Sequence, residues 1–308
     1  MRKFNKFITI YLGVIIASLL GFAIAVDLSG WSDNVYKRIR SSGEKSLIIG
    51  TSRAGQAIRP DIINEKLEKY DFYLPIYNFS FNVYLSPYGE VYYNAIIKKL
   101  TKENYNNGLF ILSVNPYGLS TESLLDKDQL REKNNSLAEI FNFSHPNYIY
   151  IWKNAGKTFK KEPNLKLNDN GWLEITVPMD SASVEKRIIR MKNKYSKFCF
   201  IKSQYRLKWL TKTISFLKQK GTVFLVRIPA SSYWLEYENK FWPEFEKEIS
   251  KIAETENVDY ISFKDKFGHY KTTDGHHLYK EDGAIFTSEL CDSIKTRLNM
   301  SKEKAANK

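Results

Sequence analysis

Leu47-Ile48-Ile49-Gly50-Thr51-Ser52-Arg53-Ala54-Gly55 is a short apolar run that breaks into a glycine-flanked turn. A run of this length bounded by turn residues reads as a buried strand, and the break at Gly50 leaves Ser52 just past the strand's carboxyl end. The same pattern recurs at residues 72–79, 109–114, 222–228 and 258–263. Between and after these runs, helical patterns cover residues 60–70, opened by a proline suited to a first turn, and residues 87–102, 205–220, 242–256 and 280–298. Wholly apolar strands alternating with helices predict a parallel sheet covered on both faces. The expected fold class is therefore α/β: a three-layer α/β/α sandwich around a central, mostly parallel five-stranded sheet.

Outward from this frame the chain changes character. Arg2, Lys3 and Lys6 precede residues 7–26, an uncharged apolar run of helix length that spans roughly 30 Å, the thickness of a bilayer core. Residues 1–27 read as a membrane anchor or a signal segment. Ala23-Ile24-Ala25 fits a cleavage site, but the run exceeds the usual signal core, which favours an uncleaved transmembrane helix. The positive-inside rule then places the rest of the chain on the extracytoplasmic side. Residues 28–44 are polar and read as a tether or short helix. The domain is expected over 45–298, with an insertion at about 120–202 forming a lid, and residues 299–308 as a frayed tail. Within the insertion, residues 122–133 and 183–195 have helical patterns, and Asn168-Asp169-Asn170-Gly171 before residues 172–177 signals a hairpin.

The formal charge is +13, from 47 Lys and Arg against 34 Asp and Glu. The basic residues are dispersed among acidic neighbours without a recognisable binding module, which argues against a nucleic-acid partner; the charge reads first as a solvated Lys-rich surface, and otherwise as contact with anionic lipid headgroups or envelope polymers. The two cysteines, Cys199 and Cys291, are expected to be buried free thiols. No Cys/His spacing suits zinc, so neither a metal nor a cofactor is expected.

The chemistry gathers at one sheet edge. In open parallel sheets ligands collect beyond the carboxyl ends of the strands. Ser52, Asn115, Pro229 and the segment Asp274-Gly275-His276-His277 all lie past the ends of expected strands. Serine at its free pKa is a weak nucleophile and needs a base within hydrogen-bond reach; His277 can take its proton while Asp274 holds the other ring nitrogen. The Ser52 backbone N–H and the Asn115 amide can serve an acyl oxyanion.

Taken together these residues resemble the SGNH/GDSL hydrolase superfamily. Gly50-Thr51-Ser52-Arg53 is similar to its first block, with Thr51 in place of the usual Asp and Arg53 in place of Leu. Val114-Asn115 resembles the third block, whose Asn donates to the oxyanion, although Pro116 stands where an Asp is customary. Asp274-Gly275-His276-His277-Leu278 resembles the last block and assigns the base to His277. The glycine donor of the second block is missing: Asn78-Phe79-Ser80-Phe81-Asn82 stands there, making Ser80 and Asn82 the oxyanion candidates.

The resemblance, with a flavodoxin-like strand arrangement, implies an exported serine esterase or O-acyltransferase. It would act on acyl esters, acetyl above all, of cell-envelope glycans, tethered by one pass to a bacterial membrane or released after cleavage near Ala25. A multi-spanning acyltransferase is the implied partner. The alternative is a catalytically silent glycan-binding or scaffold protein on the same fold. Arg53 and Arg227, near the strand edge, are candidate clamps for an anionic substrate group, or else partners of a structural acid. Trp152, Trp172, Trp234 and Trp242 are candidate sugar-stacking platforms.

Overall fold

The computed structural model describes residues 2–29, 33–40, 42–121, 148–154, 164–197 and 199–306. Five strands form one parallel sheet: β1 (Leu47–Ile49), β2 (Tyr77–Asn78), β3 (Gly108–Ser113), β8 (Gly221–Arg227) and β9 (Asp259–Ser262). Their order is β2-β1-β3-β8-β9, so the chain steps one way from β1 to β2 and then crosses back to place β3 on the other side of β1. The register sets Leu47 beside Phe110 and Phe110 beside Val223.

Side chains alternate between two cores because successive Cβ atoms point to opposite faces. Leu47, Ile49, Phe110, Leu112, Val223 and Leu225 enter one cluster. It is covered by α5 (Glu90–Lys99), α8 (Gln204–Lys218) and α10 (Phe245–Glu256), through residues such as Ile96, Leu210 and Ile249. Ile48, Leu109, Ile111, Phe224 and Val226 enter the other, with α3 (Ser52–Ala57), α4 (Pro60–Lys66) and α11 (Lys280–Ala306). Both faces are therefore buried, which is why these strands read as unbroken apolar runs.

α1 (Arg2–Ser29) contains a span, Lys3–Val26, long and apolar enough to cross a membrane. Its end is docked: Ala23 and Val26 are buried with Tyr150 and Ile151 of α6 (Tyr148–Lys153), and the Phe22 and Trp152 rings lie 5.2 Å apart. The segment read as a tether or short helix contains the short helix α2 (Asn34–Arg40), which packs on the domain. Its Tyr36 and Ile39 are buried in the first core, and the buried Arg38 guanidinium donates to the Gly171 carbonyl at 3.1 and 3.2 Å. Burial lowers the Arg38 pKa to about 10.

The hairpin signal produces β5 (Leu165–Leu167) and β6 (Leu173–Ile175), antiparallel across the Asn168–Gly171 turn. The Asn78 N–H on the sheet edge donates to Asn170 O at 2.8 Å, and the Trp172 indole donates to Gln56 O in α3 at 2.8 Å. Trp172 is thus 6% exposed and packed, with the Arg59 guanidinium over its ring at 4.5 Å; Trp234 and Trp242 are buried too, so only Trp152 of the four candidate platforms presents a face. The helix expected over 122–133 lies outside the described residues, whereas α7 (Ser181–Tyr195) forms as its pattern predicts, capped by the Asp180 carboxylate on the Ser183 N–H. Two further segments differ from the sequence reading. α9 (Ser232–Phe241) is a helix that the aromatic, polar sequence did not reveal, and α11 runs to Ala306 where a frayed tail was expected. The extension, Ser301-Lys-Glu-Lys-Ala-Ala306, consists largely of strong helix formers and contains no Gly or Pro to stop it. β4 (Ser120–Thr121) and β7 (Ile201–Lys202) pair at the two ends of the insertion.

Candidate active site

The strand-to-helix turn after β1 is held by its neighbours. Gly50 has φ +155°, and a Cβ there would lie 2.8 Å from the Ser113 Cβ on β3, so a side chain would push the two strand ends apart. The Tyr92 hydroxyl accepts the Gly50 N–H at 3.1 Å and donates to Phe79 O at 2.6 Å, while Ser86 Oγ donates to Gly50 O at 2.8 Å. Ser52 follows as the first residue of α3, half-buried.

The segment before α11 folds around Asp274. One carboxylate oxygen accepts the backbone N–H groups of His276 and His277 at 3.0 and 2.9 Å; the other accepts the His277 Nδ1–H at 2.9 Å. Gly275 takes φ +79°, in the left-handed region, and any Cβ would meet Trp234 Nε1 at 2.9 Å and Ser231 Oγ at 3.0 Å. The glycine therefore serves both the turn and the close approach of α9. His277 Nε2 lies 2.9 Å from Ser52 Oγ. Because Asp274 engages Nδ1–H, Nε2 is the acceptor, and the hydroxyl donates to it.

Burial alone would raise the Asp274 pKa, yet the His277 ring and the backbone donors hold it well below the usual carboxylate range. The side chains of His277 and Asp274 are 12% and 14% exposed, so the pair is shielded but open on one side. A charged Asp274 at neutral pH can orient the imidazole and stabilise an imidazolium.

Asn115, one residue past β3, is also drawn in. Its amide donates to Thr51 Oγ1 at 3.1 Å, next to Ser52 in the chain, and its carbonyl oxygen accepts the Gly118 N–H at 3.0 Å, capping the turn Pro116–Leu119. One Nδ2 hydrogen is engaged by Thr51; an amide nitrogen carries a second. Ser80 and Asn82 have other occupations. The Ser80 N–H donates to Asn78 Oδ1 at 3.2 Å, and Asn82 Oδ1 accepts the N–H groups of Tyr84 and Leu85.

Arg53 and Arg227 are each 1% exposed and share one acid. Arg53 Nη2 contacts Glu238 Oε1 at 2.6 Å, and Arg227 Nη2 contacts Glu238 Oε2 at 2.9 Å; Arg227 also pairs with Glu246. Their charges are spent within the protein. Sequence reasoning missed Glu238 and Tyr117, and it read Trp234 as a sugar platform where that ring, with Tyr117, encloses His276 at ring distances of 5.0 and 5.6 Å. The one signal for Glu238 was its i, i+4 spacing from Trp234 in an unassigned segment. Cys199 is exposed and Cys291 buried, both free, so the expectation of two buried thiols holds for one.

His276 supplies a pH dependence. Desolvation, aided by the Arg53 charge, depresses its pKa well below 6.5. Below about pH 6.5 the unfolded chain binds a proton that the folded chain refuses, so stability is full above that pH and declines beneath it by up to about 1.4 kcal/mol per unit. Melting in detergent at about pH 7.5 and about pH 5.5 should show a drop, smaller in His276→Asn. Asp274, with its folded pKa lowered, adds a loss only as pH falls below about 4. Compared with protein-family models and with curated proteins, the chain matches none, and its functional reading rests on this geometry.

Proposed function

We propose that the chain is a membrane-anchored serine esterase or O-acyltransferase of the SGNH/GDSL type, acting on acyl esters of cell-envelope glycans outside a bacterial membrane. The observation that carries this reading is the continuous hydrogen-bond chain Ser52 Oγ–His277 Nε2 and His277 Nδ1–Asp274 Oδ2, at 2.9 Å in each link. Two features add support. The strand order β2-β1-β3-β8-β9 suits a flavodoxin-like three-layer sandwich, and Ser52 and Asn115 flank the point where that order reverses, which is where such sheets bind ligands. The insertion at about 120–202, whose hairpin abuts α3, would serve as the lid. Burial of Ala23 and Val26 against α6 favours a retained anchor over a cleaved signal.

In this reading Ser52 Oγ attacks the acyl carbonyl as its proton passes to His277 Nε2. The oxyanion is met by the Ser52 N–H and the Asn115 amide. Collapse breaks the ester, and His277 returns the proton to the departing sugar oxygen, leaving acyl-Ser52. Water or a second sugar hydroxyl, deprotonated by His277, then takes the acyl group. A multi-spanning acyltransferase would be the source of acyl groups in the transfer mode. One observation favours the silent-binding alternative: the Ser80 N–H is committed to Asn78, and loss of one oxyanion donor costs on the order of 10²–10³ in rate.

Intact-mass measurement of the full chain after exposure to p-nitrophenyl acetate separates these readings. One acetyl group on Ser52, persisting until a glycan acceptor is added, selects transfer. An adduct that water clears selects hydrolysis, and no adduct from any activated donor selects the silent protein.

A further inference from the structure

We propose that Arg53 and His276 form a positioning clamp that registers the nucleophile against its base, an inference that rests on the triad reading above. Ser52 and His277 lie 225 residues apart, on segments that must be aligned to a few tenths of an ångström. The residue after the nucleophile and the residue before the base are bonded to each other: Arg53 Nη2 donates to His276 Nδ1 at 2.9 Å. Each catalytic side chain is therefore one residue from the same bond.

The clamp is anchored from behind. The Arg53 guanidinium is fixed by Glu238 on α9, whose second oxygen is held by Arg227 at the end of β8. Both bonds leave one nitrogen, Nη2, whose two N–H directions are set by the plane of the guanidinium, and an ammonium has no such fixed plane. The His276 ring is enclosed by Tyr117, Tyr195 and Trp234 and stands edge-on to His277 at 4.7 Å. The titratable and charged groups facing it are Arg53 from α3, Asp274 and His277 from its own loop, Lys194 and Tyr195 from α7, and Tyr117 from the turn after β3. Accepting from a guanidinium requires a bare Nδ1, so His276 is neutral with its proton on Nε2. Of the adjacent imidazoles, His277 reaches the serine and His276 holds the frame.

The test uses the full chain in detergent micelles, with His276→Phe, which keeps a ring without an acceptor, and His276→Asn, whose Oδ1 can stand where Nδ1 was. His276→Phe should lower kcat on p-nitrophenyl acetate by about 10- to 100-fold with KM within about twofold, since small misplacements of reacting groups carry costs of that size. His276→Asn should recover most of that loss, and Arg53→Lys should not restore wild-type kcat. A second readout needs no turnover. With ring-¹⁵N histidine, of which the chain has four, the signal that disappears in His276→Asn should be a neutral Nε2–H tautomer with unprotonated Nδ1, and Arg53→Met should alter it. A wild-type Nδ1–H tautomer overturns the clamp, as does a His276→Phe kcat within about twofold of wild type or an Asn variant as impaired as the Phe variant. If Ser52→Ala keeps full turnover, the triad reading fails while the tautomer result still judges the Arg53–His276 bond.

Discussion

Under the proposed function, Ser52→Ala should lower turnover of p-nitrophenyl acetate by at least about 10³-fold, and His277→Ala by a comparable factor, because either change removes a member of one proton-transfer unit. The Ser52→Ala variant should stay folded. The Ser52 hydroxyl makes one hydrogen bond at a half-buried position, an interaction worth about 1 kcal/mol, and the α3 backbone does not depend on it. Melting temperatures near wild type would therefore attribute the loss to chemistry. The double variant should be no slower than the worse single variant, since groups acting as a unit are not additive. Equal turnover in all four proteins would sink the catalytic reading and leave the glycan-binding alternative.

How much of this was legible in the sequence depended on whether the cause was local. β1, β3 and β8 announce themselves because both faces are buried, so Leu47, Phe110 and Phe224 sit in unbroken apolar runs. Asp274 and His277 are three positions apart, and the turn that joins them is made by Asp274 and Gly275 themselves. What escaped was long-range. The partner of Arg53 lies 185 residues away on a helix whose sequence, Ser232-Tyr-Trp-Leu-Glu-Tyr-Glu-Asn-Lys-Phe241, mixes aromatic and polar residues with no clean apolar stripe. A reading confined to local pattern therefore offered Arg53 and Arg227 either a substrate anion or a structural acid and could not identify Glu238 as that acid. The packing of α2, read as a tether or short helix, escaped for the same reason: seven residues with three basic side chains look solvated, and the Gly171 carbonyl, 133 residues on, and the Phe81 ring receive the buried Arg38. Ser80 is an intermediate case. An Asn two residues before it permits a side chain-to-backbone turn without requiring one, and that turn takes up the N–H an oxyanion would need.

Glu238→Gln should be strongly destabilising. Its carboxylate is fully buried between two guanidinium groups that are themselves 1% exposed, and each oxygen serves one of them. Gln has the same shape but one acceptor oxygen, so its NH₂ must face one arginine donor to donor, and the enclosed charge rises by one. Breaking a buried pair in this way costs about 3–5 kcal/mol, a large share of the 5–15 kcal/mol that holds a typical domain together. For a domain of about 250 residues that lowers Tm by roughly 6–20 °C. Glu246 is the control. It contacts the same Arg227 but is 30% exposed, so water can replace it, and Glu246→Gln should change stability by no more than about 1 kcal/mol. Thermal melts of the two variants side by side decide the matter, and a Glu238→Gln melt within about 2 °C of wild type would show that the arginines do not depend on it. Because one Glu238 oxygen holds the residue next to the nucleophile and the other holds the end of β8, the same substitution should depress kcat even below its melting temperature, tying the rigidity of the sheet edge to the alignment of Ser52 with His277.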